Sequence, residues 1–477
     1  MNDMNFSRKP DHYIIAELFG KTNAVKNILI ELYLPKSDSE EIIFVCKLNT
    51  QQHNEIINEF EFSITGHDEF SDGSINNKFI IKRAFFKKSQ TNYSRSNLEN
   101  YDFILQAYDL MIICERDNKG ENSITEGFFT FFNRFVIPPL KLVTRKANGE
   151  VTIDSNDRYS FTLESGLKLT FDTYYRYEKF EEYEKSTPYS VAEFKTDIDP
   201  TRINEIVNEI DDFLLLLSFA LGKICICTGW VAASHSKIVK YFIRDKAIPG
   251  KSEKHSFLDQ LIETGALKSF LEHTYKEFIN FNNRELLRNI LYPVVRKKKI
   301  SVETRYLILF AILESIILNY KKYFGFDIIL DEGIFNELKT DLKELIKSKL
   351  LSIDKVRRKF IYEKLPELNR ISFSSSLELY QKHYQIKIDD LWPLTDSKDG
   401  ASLSDIRNKI IHGEIFNYQQ SQAINYAVIH LQIIVERMIL SLLDWDISKS
   451  IASVDYNKSF LAKENEKIKF YQKLLSN

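Results

Sequence analysis

Ser404-Asp405-Ile406-Arg407-Asn408-Lys409-Ile410-Ile411-His412-Gly413 reads as a short amphipathic helix and its stop. Leu403, Ile406 and Ile410 fall on one stripe that can be buried. Asn408 and His412 stand at i and i+4, roughly 40° apart on an ideal helix, so they share another face that can stay accessible. Gly413 supplies the terminating residue. Arg carries a planar, permanently charged fork suited to phosphate oxygens, and His is the side-chain type that exchanges protons near neutrality. Phosphate binding and proton transfer are the two roles that cleavage of an RNA backbone needs.

Outward from this stretch the chain is helical. A loop rich in Pro, Asp, Ser and Gly over 392–402 precedes it, and a long apolar helix over 422–443 follows. Residues 304–323 carry Leu307, Phe310, Ala311, Glu314, Ile317 and Leu318 along one side, a core stripe interrupted by one carboxylate. Helices are also expected over 334–351, with acidic residues at its start, and over 377–384. The result is a bundle of four or five helices with one longer irregular loop. A Lys-rich amphipathic tail over 455–475 reads as a packed or fraying terminal helix.

The first half has the other periodicity. Short runs rich in β-branched and aromatic residues occur at 28–34, 42–48, 60–65, 78–86, 103–114 and 167–177, punctuated by turns such as Asp72-Gly73 and Asn148-Gly149. They predict an antiparallel sandwich or barrel-like β domain. Its aromatic load fits a core with cross-strand pairs better than a ligand-stacking surface. A boundary is expected between Ser186-Thr187-Pro188 and Asp199-Pro200-Thr201. Beyond it Ile203, Ile206, Val207, Ile210, Phe213, Leu214 and Leu217 recur at helical spacing. Strands at 223–233 and 238–243 and helix over 257–295 follow. The fold class is therefore α+β, partitioned as a β-rich region 1–198, a mixed connector 199–299, a helical bundle 300–450 and a tail helix 451–477.

The 477 residues suffice for two or three domains. With 65 basic against 67 acidic residues, net charge −2, any RNA affinity must come from local patches. Two basic runs qualify, Arg296-Lys297-Lys298-Lys299 and Lys355-Val356-Arg357-Arg358-Lys359, although such runs are mostly solvated surface. The four cysteines, Cys46, Cys114, Cys225 and Cys227, form no C-x-x-C pair, which argues against a disulfide framework or a zinc site and fits a reducing cytoplasm. Cys225 and Cys227 would share one face of a strand, as core thiols. The start lacks a secretory pattern, and the apolar run at 213–221 is too short to span a bilayer. Walker, dinucleotide-binding, H-E-x-x-H and G-x-S-x-G strings are all missing, so ATPase, dehydrogenase, zincin and α/β-hydrolase chemistry lose their usual support. Neither a metal nor a cofactor is expected.

Arg407-Asn408, three residues, His412 and Gly413, near the end of a helical C-terminal region, resemble the signature of the HEPN superfamily. A β-rich first half joined to such a bundle resembles the ApeA-like anti-phage proteins. The string Ala311-Ile312-Leu313-Glu314-Ser315 is similar to one in the first helix of many HEPN domains. The resemblance implies a metal-independent endoribonuclease in which two bundles dimerise around one composite site. Arg407, Asn408 and His412 would be catalytic. Glu314 would either orient Arg407 or His412 or lie solvated at the edge of its stripe, and Lys355, Arg357, Arg358 and Lys359 would contact RNA. It also implies that the β domain restrains or triggers the bundle, with a phage-derived trigger as partner, in an abortive-infection role. The alternative is a non-catalytic HEPN dimer that binds protein or ligand through its aromatic β domain.

Overall fold

A computed structural model describes residues 9–476 except 36–39, 69–75, 94–98, 116–123, 133–141, 146–150, 155–158, 180–183, 245–259, 296–299, 327, 350–353, 396 and 461–463. The basic run at 296–299 and the turns at Asp72-Gly73 and Asn148-Gly149 lie outside the described residues. The chain is α+β and divides into two units, Met1–Asp259 and Gln260–Asn477.

In the first unit, β1 (His12–Phe19), β2 (Ala24–Tyr33), β3 (Ile42–Asn49), β4 (Glu61–Asp68), β5 (Asn76–Tyr93) and β6 (Glu99–Ala107) pair antiparallel in the order β5-β4-β1-β2-β3-β6, and β6 returns to pair with β5. This closes a six-stranded barrel. Alternation decides which residues fill it: Ile14, Ala16 and Leu18 from β1, Ile28, Ile30 and Leu32 from β2, and Phe44, Cys46 and Leu48 from β3 all join one buried cluster. The short helix α1 (Thr50–Ile56), held by an Asn49–Gln52 capping box, adds Ile56 to that cluster.

The expected strand over 103–114 is two strands, because the chain changes neighbours at Tyr108. Before it β6 lies beside β3 and β5; after it β7 (Asp109–Glu115) pairs with the opposite half of β5. Lys82 and Arg83 sit in β5 between those two partners, and the buried Asp109 carboxylate accepts from both backbone N–H groups, at 2.8 and 3.4 Å.

From β7 the sheet runs on through β8 (Thr125–Phe132), β11 (Ser160–Thr162), β12 (Lys168–Lys179), β13 (Glu184–Thr196), β14 (Ile226–Ala233) and β15 (Lys237–Ile243), in the order β7-β15-β14-β8-β13-β12-β11. A separate hairpin joins β9 (Leu142–Arg145) to β10 (Val151–Asp154). Of the stretch expected to hold a boundary, Ser186-Thr187-Pro188 lies inside β13, and the strand gives way only at its far end. A 3-10 turn over Pro200–Ile206, capped by Asp199, then leads into α2 (Val207–Leu221). Phe213 of α2 packs on Phe161 and Phe171. All of this belongs to the first unit, so the segment read as a connector is divided between the two units. Cys46, Cys225 and Cys227 are buried, and burial pushes the Cys46 and Cys225 thiols up to about 12.

The second unit contains α3 (Leu267–Asn280), α4 (Arg284–Val295), α5 (Val302–Phe324), α6 (Glu332–Lys349), α7 (Lys355–Lys364), α8 (Phe373–Tyr384), α9 (Leu403–Ile411), α10 (Tyr418–Leu442), α11 (Val454–Phe460) and α12 (Glu464–Ser476). Its core forms where α5 and α10 pack together, with α4, α8 and α9 on α5 and α12 on α10. The stripe of α5 is only partly as expected. Phe310 and Ile317 are buried, but so are Tyr306, Leu309, Leu313, Ile316 and Tyr320, whereas Ala311 and Leu318 are exposed. Among the described residues α10 is long and apolar enough to cross a membrane, with a mean hydropathy of 1.4, but 61% of that window is buried in the protein. That is the placement of a core helix.

Two buried polar groups mark α10. Arg437 donates to both carboxylate oxygens of Asp390 at 2.7 Å and to Ala452 O at 2.6 Å. His430 is 1% exposed beside Tyr426 and Trp392. Burial pushes its pKa down from 6.5 to about 4, helped by Lys467 and Arg437 and opposed by Asp390. Above pH 6.5 it is neutral folded or unfolded; as pH falls from 6.5 toward 4 only the unfolded chain takes up the proton, a loss of about 3 kcal/mol. Melting temperature against pH should therefore fall more steeply over this range for wild type than for His430→Gln, and parallel curves would refute the assignment.

Candidate active site around the Arg407–His412 turn

The loop before α9 is fastened to its surroundings. Leu403 and Ser404 donate backbone N–H groups to Pro393 O and Leu394 O at 2.9 Å, and Trp392 Nε1 donates to Ala401 O at 2.9 Å. A capping box then starts the helix. Asp405 N–H donates to Ser402 Oγ, and the Asp405 carboxylate accepts from Ser402 N–H. Leu403 and Ile406 are fully buried, Ile410 is half-buried, and Tyr306 of α5 donates its hydroxyl to Leu403 O at 2.6 Å. These contacts fix how α9 is rotated against α5.

That rotation brings Arg407 over α5. Its Nη2 lies 3.1 Å from Glu314 Oε1, its guanidinium carbon lies 5.7 Å from the Phe310 ring centroid, and Nη1 donates to Asn408 Oδ1 at 3.3 Å. Phe310 and Glu314 are i and i+4 on α5, so one helix face holds the guanidinium by its π-face and its edge together. The Arg407 side chain is 33% exposed and Glu314 43%. Glu314 thus lies half-solvated at the edge of its stripe, where it pairs with Arg407 through a partly exposed contact rather than a buried one.

His412 is the C-cap of α9, and its N–H still donates to Asn408 O at 2.9 Å, which preserves the i, i+4 register between the two residues. Gly413 has φ +76°, the left-handed geometry that favours glycine. Its N–H donates to Ile410 O and that of Glu414 to Lys409 O, completing a Schellman turn. The imidazole of His412 is exposed and makes no hydrogen bond or ion pair among the described residues. Beyond the turn, Ile415 is 93% and Tyr418 79% exposed.

No family model, curated protein or solved structure matches this chain.

The remaining candidates lie elsewhere in the unit. Lys355, Arg357, Arg358 and Lys359 are on α7, which packs on α6 and the turn after α7, whereas α9 packs on α5 and α10. Lys355, Arg357 and Lys359 are exposed, and Arg357 and Lys359 already pair with Asp354 and Glu363 at 3.4 and 3.9 Å. Arg358 has a buried Nε without a hydrogen-bond partner among the described residues. Phe310 is the site residue that the motif did not reveal. Its place four residues before Glu314 was the available signal, but an apolar residue there reads as core. Arg407 offers a charged fork that can bind a phosphate oxygen, and an accessible imidazole, His412, follows five residues later at the end of α9.

Proposed function

We propose that the chain is a metal-independent endoribonuclease of HEPN type, acting as a cytoplasmic homodimer in anti-phage defence. The observation that carries this reading is an Arg407 held by Glu314 and Phe310, with an accessible His412 five residues further on at the end of the same helix. The exposed Ile415 and Tyr418 beside the turn support a surface that a second copy covers. In the reaction the ribose 2′-oxygen attacks the adjacent phosphorus, and the P–O5′ bond breaks. His412 of one copy removes the 2′-hydroxyl proton, and the other copy's His412 returns one to the leaving 5′-oxygen. Arg407 stabilises charge on the phosphate oxygens, and Asn408 positions Arg407 or the scissile group. The first unit restrains this activity until an infection-derived signal arrives.

The test is incubation of the full chain with total cellular RNA, and separately with DNA, in excess chelator, followed by end-group analysis. RNA fragments ending in 2′,3′-cyclic phosphate and 5′-hydroxyl, with DNA intact, are expected. A fragment of residues 260–477 should cut faster than the full chain if the first unit restrains it. RNA left intact by both would leave the non-catalytic binding module as the better reading.

A further inference from the structure

The carboxyl ends of four helices converge on one cavity in the second unit. Its lining includes Asn280, Phe324, Tyr384 and Leu442, the last residues of α3, α5, α8 and α10. Its volume is about 250 Å³, room for about eight waters at roughly 30 Å³ each. Each helix C-terminus carries roughly half a negative charge, offset in part at α3 by Arg284, whose Nε donates to Ile279 O at 2.6 Å. Glu277, one turn before the end of α3, adds a carboxylate that makes no ion pair among the described residues.

The walls are aromatic. The Tyr320 and Phe324 rings lie 4.9 Å apart at 50°, and Tyr323 and Phe324 lie 4.9 Å apart at 89°, so their faces look in different directions. Among the described residues no Lys, Arg or His lines the cavity. Lys321, in the last turn of α5, instead donates to Ile371 O at 2.8 Å, and His383 packs on Phe324 without lining the space. Helix ends and a carboxylate disfavour an anion here, and differently tilted ring faces suit a rounded, poorly hydrated positive group.

We propose that this cavity binds a small organic cation, an alkylated or quaternary ammonium of about choline's size, held against the Tyr320, Tyr323 and Phe324 rings with Glu277 as counter-charge. The site is separate from Arg407: Tyr320 lies six residues beyond Glu314 on α5, about 9 Å along the axis. The proposal stands whether or not the chain cleaves RNA.

Titration calorimetry of the full chain with choline chloride, against its neutral carbon isostere 3,3-dimethylbutan-1-ol at constant ionic strength, tests it. Saturable choline binding is expected, with the isostere weaker by about tenfold. Tyr323→Ala and Glu277→Gln should each weaken choline by a similar factor. Tyr323 is 63% exposed, so its removal leaves the fold intact, which an unchanged melting curve without ligand would verify. Equal binding of the isostere, equal binding of choline by both variants, or no saturable binding at tens of millimolar would each overturn the proposal.

Discussion

RNA cleavage by a His412→Ala variant is expected to fall by about 10²–10⁴-fold, the usual contribution of a positioned proton-transfer group. The fold should not suffer, because the imidazole is exposed and makes no hydrogen bond or ion pair among the described residues. Arg407→Ala should cost a comparable factor while changing stability by no more than about 1 kcal/mol, since the ion pair it breaks is partly solvated. Arg407→Lys separates charge from geometry. A lysine keeps the charge but not the planar fork that reaches Glu314 and lies over Phe310, so most of the activity should still be lost. Glu314→Gln removes only the orienting carboxylate and should cost about tenfold, the smallest loss of the series. Initial rates on one RNA substrate give all four values. A wild-type rate in His412→Ala would end the assignment of His412 as the proton-transfer group and with it the proposed mechanism.

The largest effect on stability should come from the Arg437–Asp390 pair. Arg437 is fully buried and forks onto both Asp390 oxygens. Burial pushes the Asp390 carboxyl up, but the Arg437 hydrogen bonds and charge hold it below the ordinary carboxylate range. Asp390→Ala leaves the guanidinium charged and unpaired in the core, a loss of about 3–5 kcal/mol. For a unit of this size that is roughly 10 °C in melting temperature. Replacing both partners, as Asp390→Leu with Arg437→Met, should recover much of the loss, because no uncompensated charge then remains. Thermal melts of the three proteins decide it, and a single-variant loss below about 1 kcal/mol would show the pair to be dispensable.

Much of this architecture could be read from local pattern. The change from period-two runs to helical spacing marked the α+β organisation, whereas the Ser402–Asp405 and Asn417–Gln420 boxes went unread and α10 begins at Tyr418, ahead of the expected 422. The misreadings had tertiary causes. The boundary expected across 186–201 falls at its far end, because β13 continues through Pro188, which pairs with Tyr175 of β12, as far as Thr196. In α5 every residue from Leu307 to Leu313 is apolar, so periodicity could not choose the buried face and the packing of α9 and α10 chose it. At the site, the Arg407–His412 spacing was legible, but the guanidinium's seat on Phe310 and Glu314 joins residues some ninety positions apart. Only the docking of two helices reveals that.

β5 has a consequence for how the first unit tolerates change. It pairs with β4, β6 and β7, so it is a wall of the barrel and also the root from which the rest of the sheet extends. A one-residue slip in a strand turns every side chain to the opposite face. In most strands such an error spoils two neighbours; in β5 it would corrupt three alignments at once and empty the barrel of Phe79 and Ile81. Alignment information for the whole sheet is therefore concentrated in one segment. Evolution has latitude at the far hairpins, whereas an insertion or deletion within β5 would be felt from the barrel wall to the last strand.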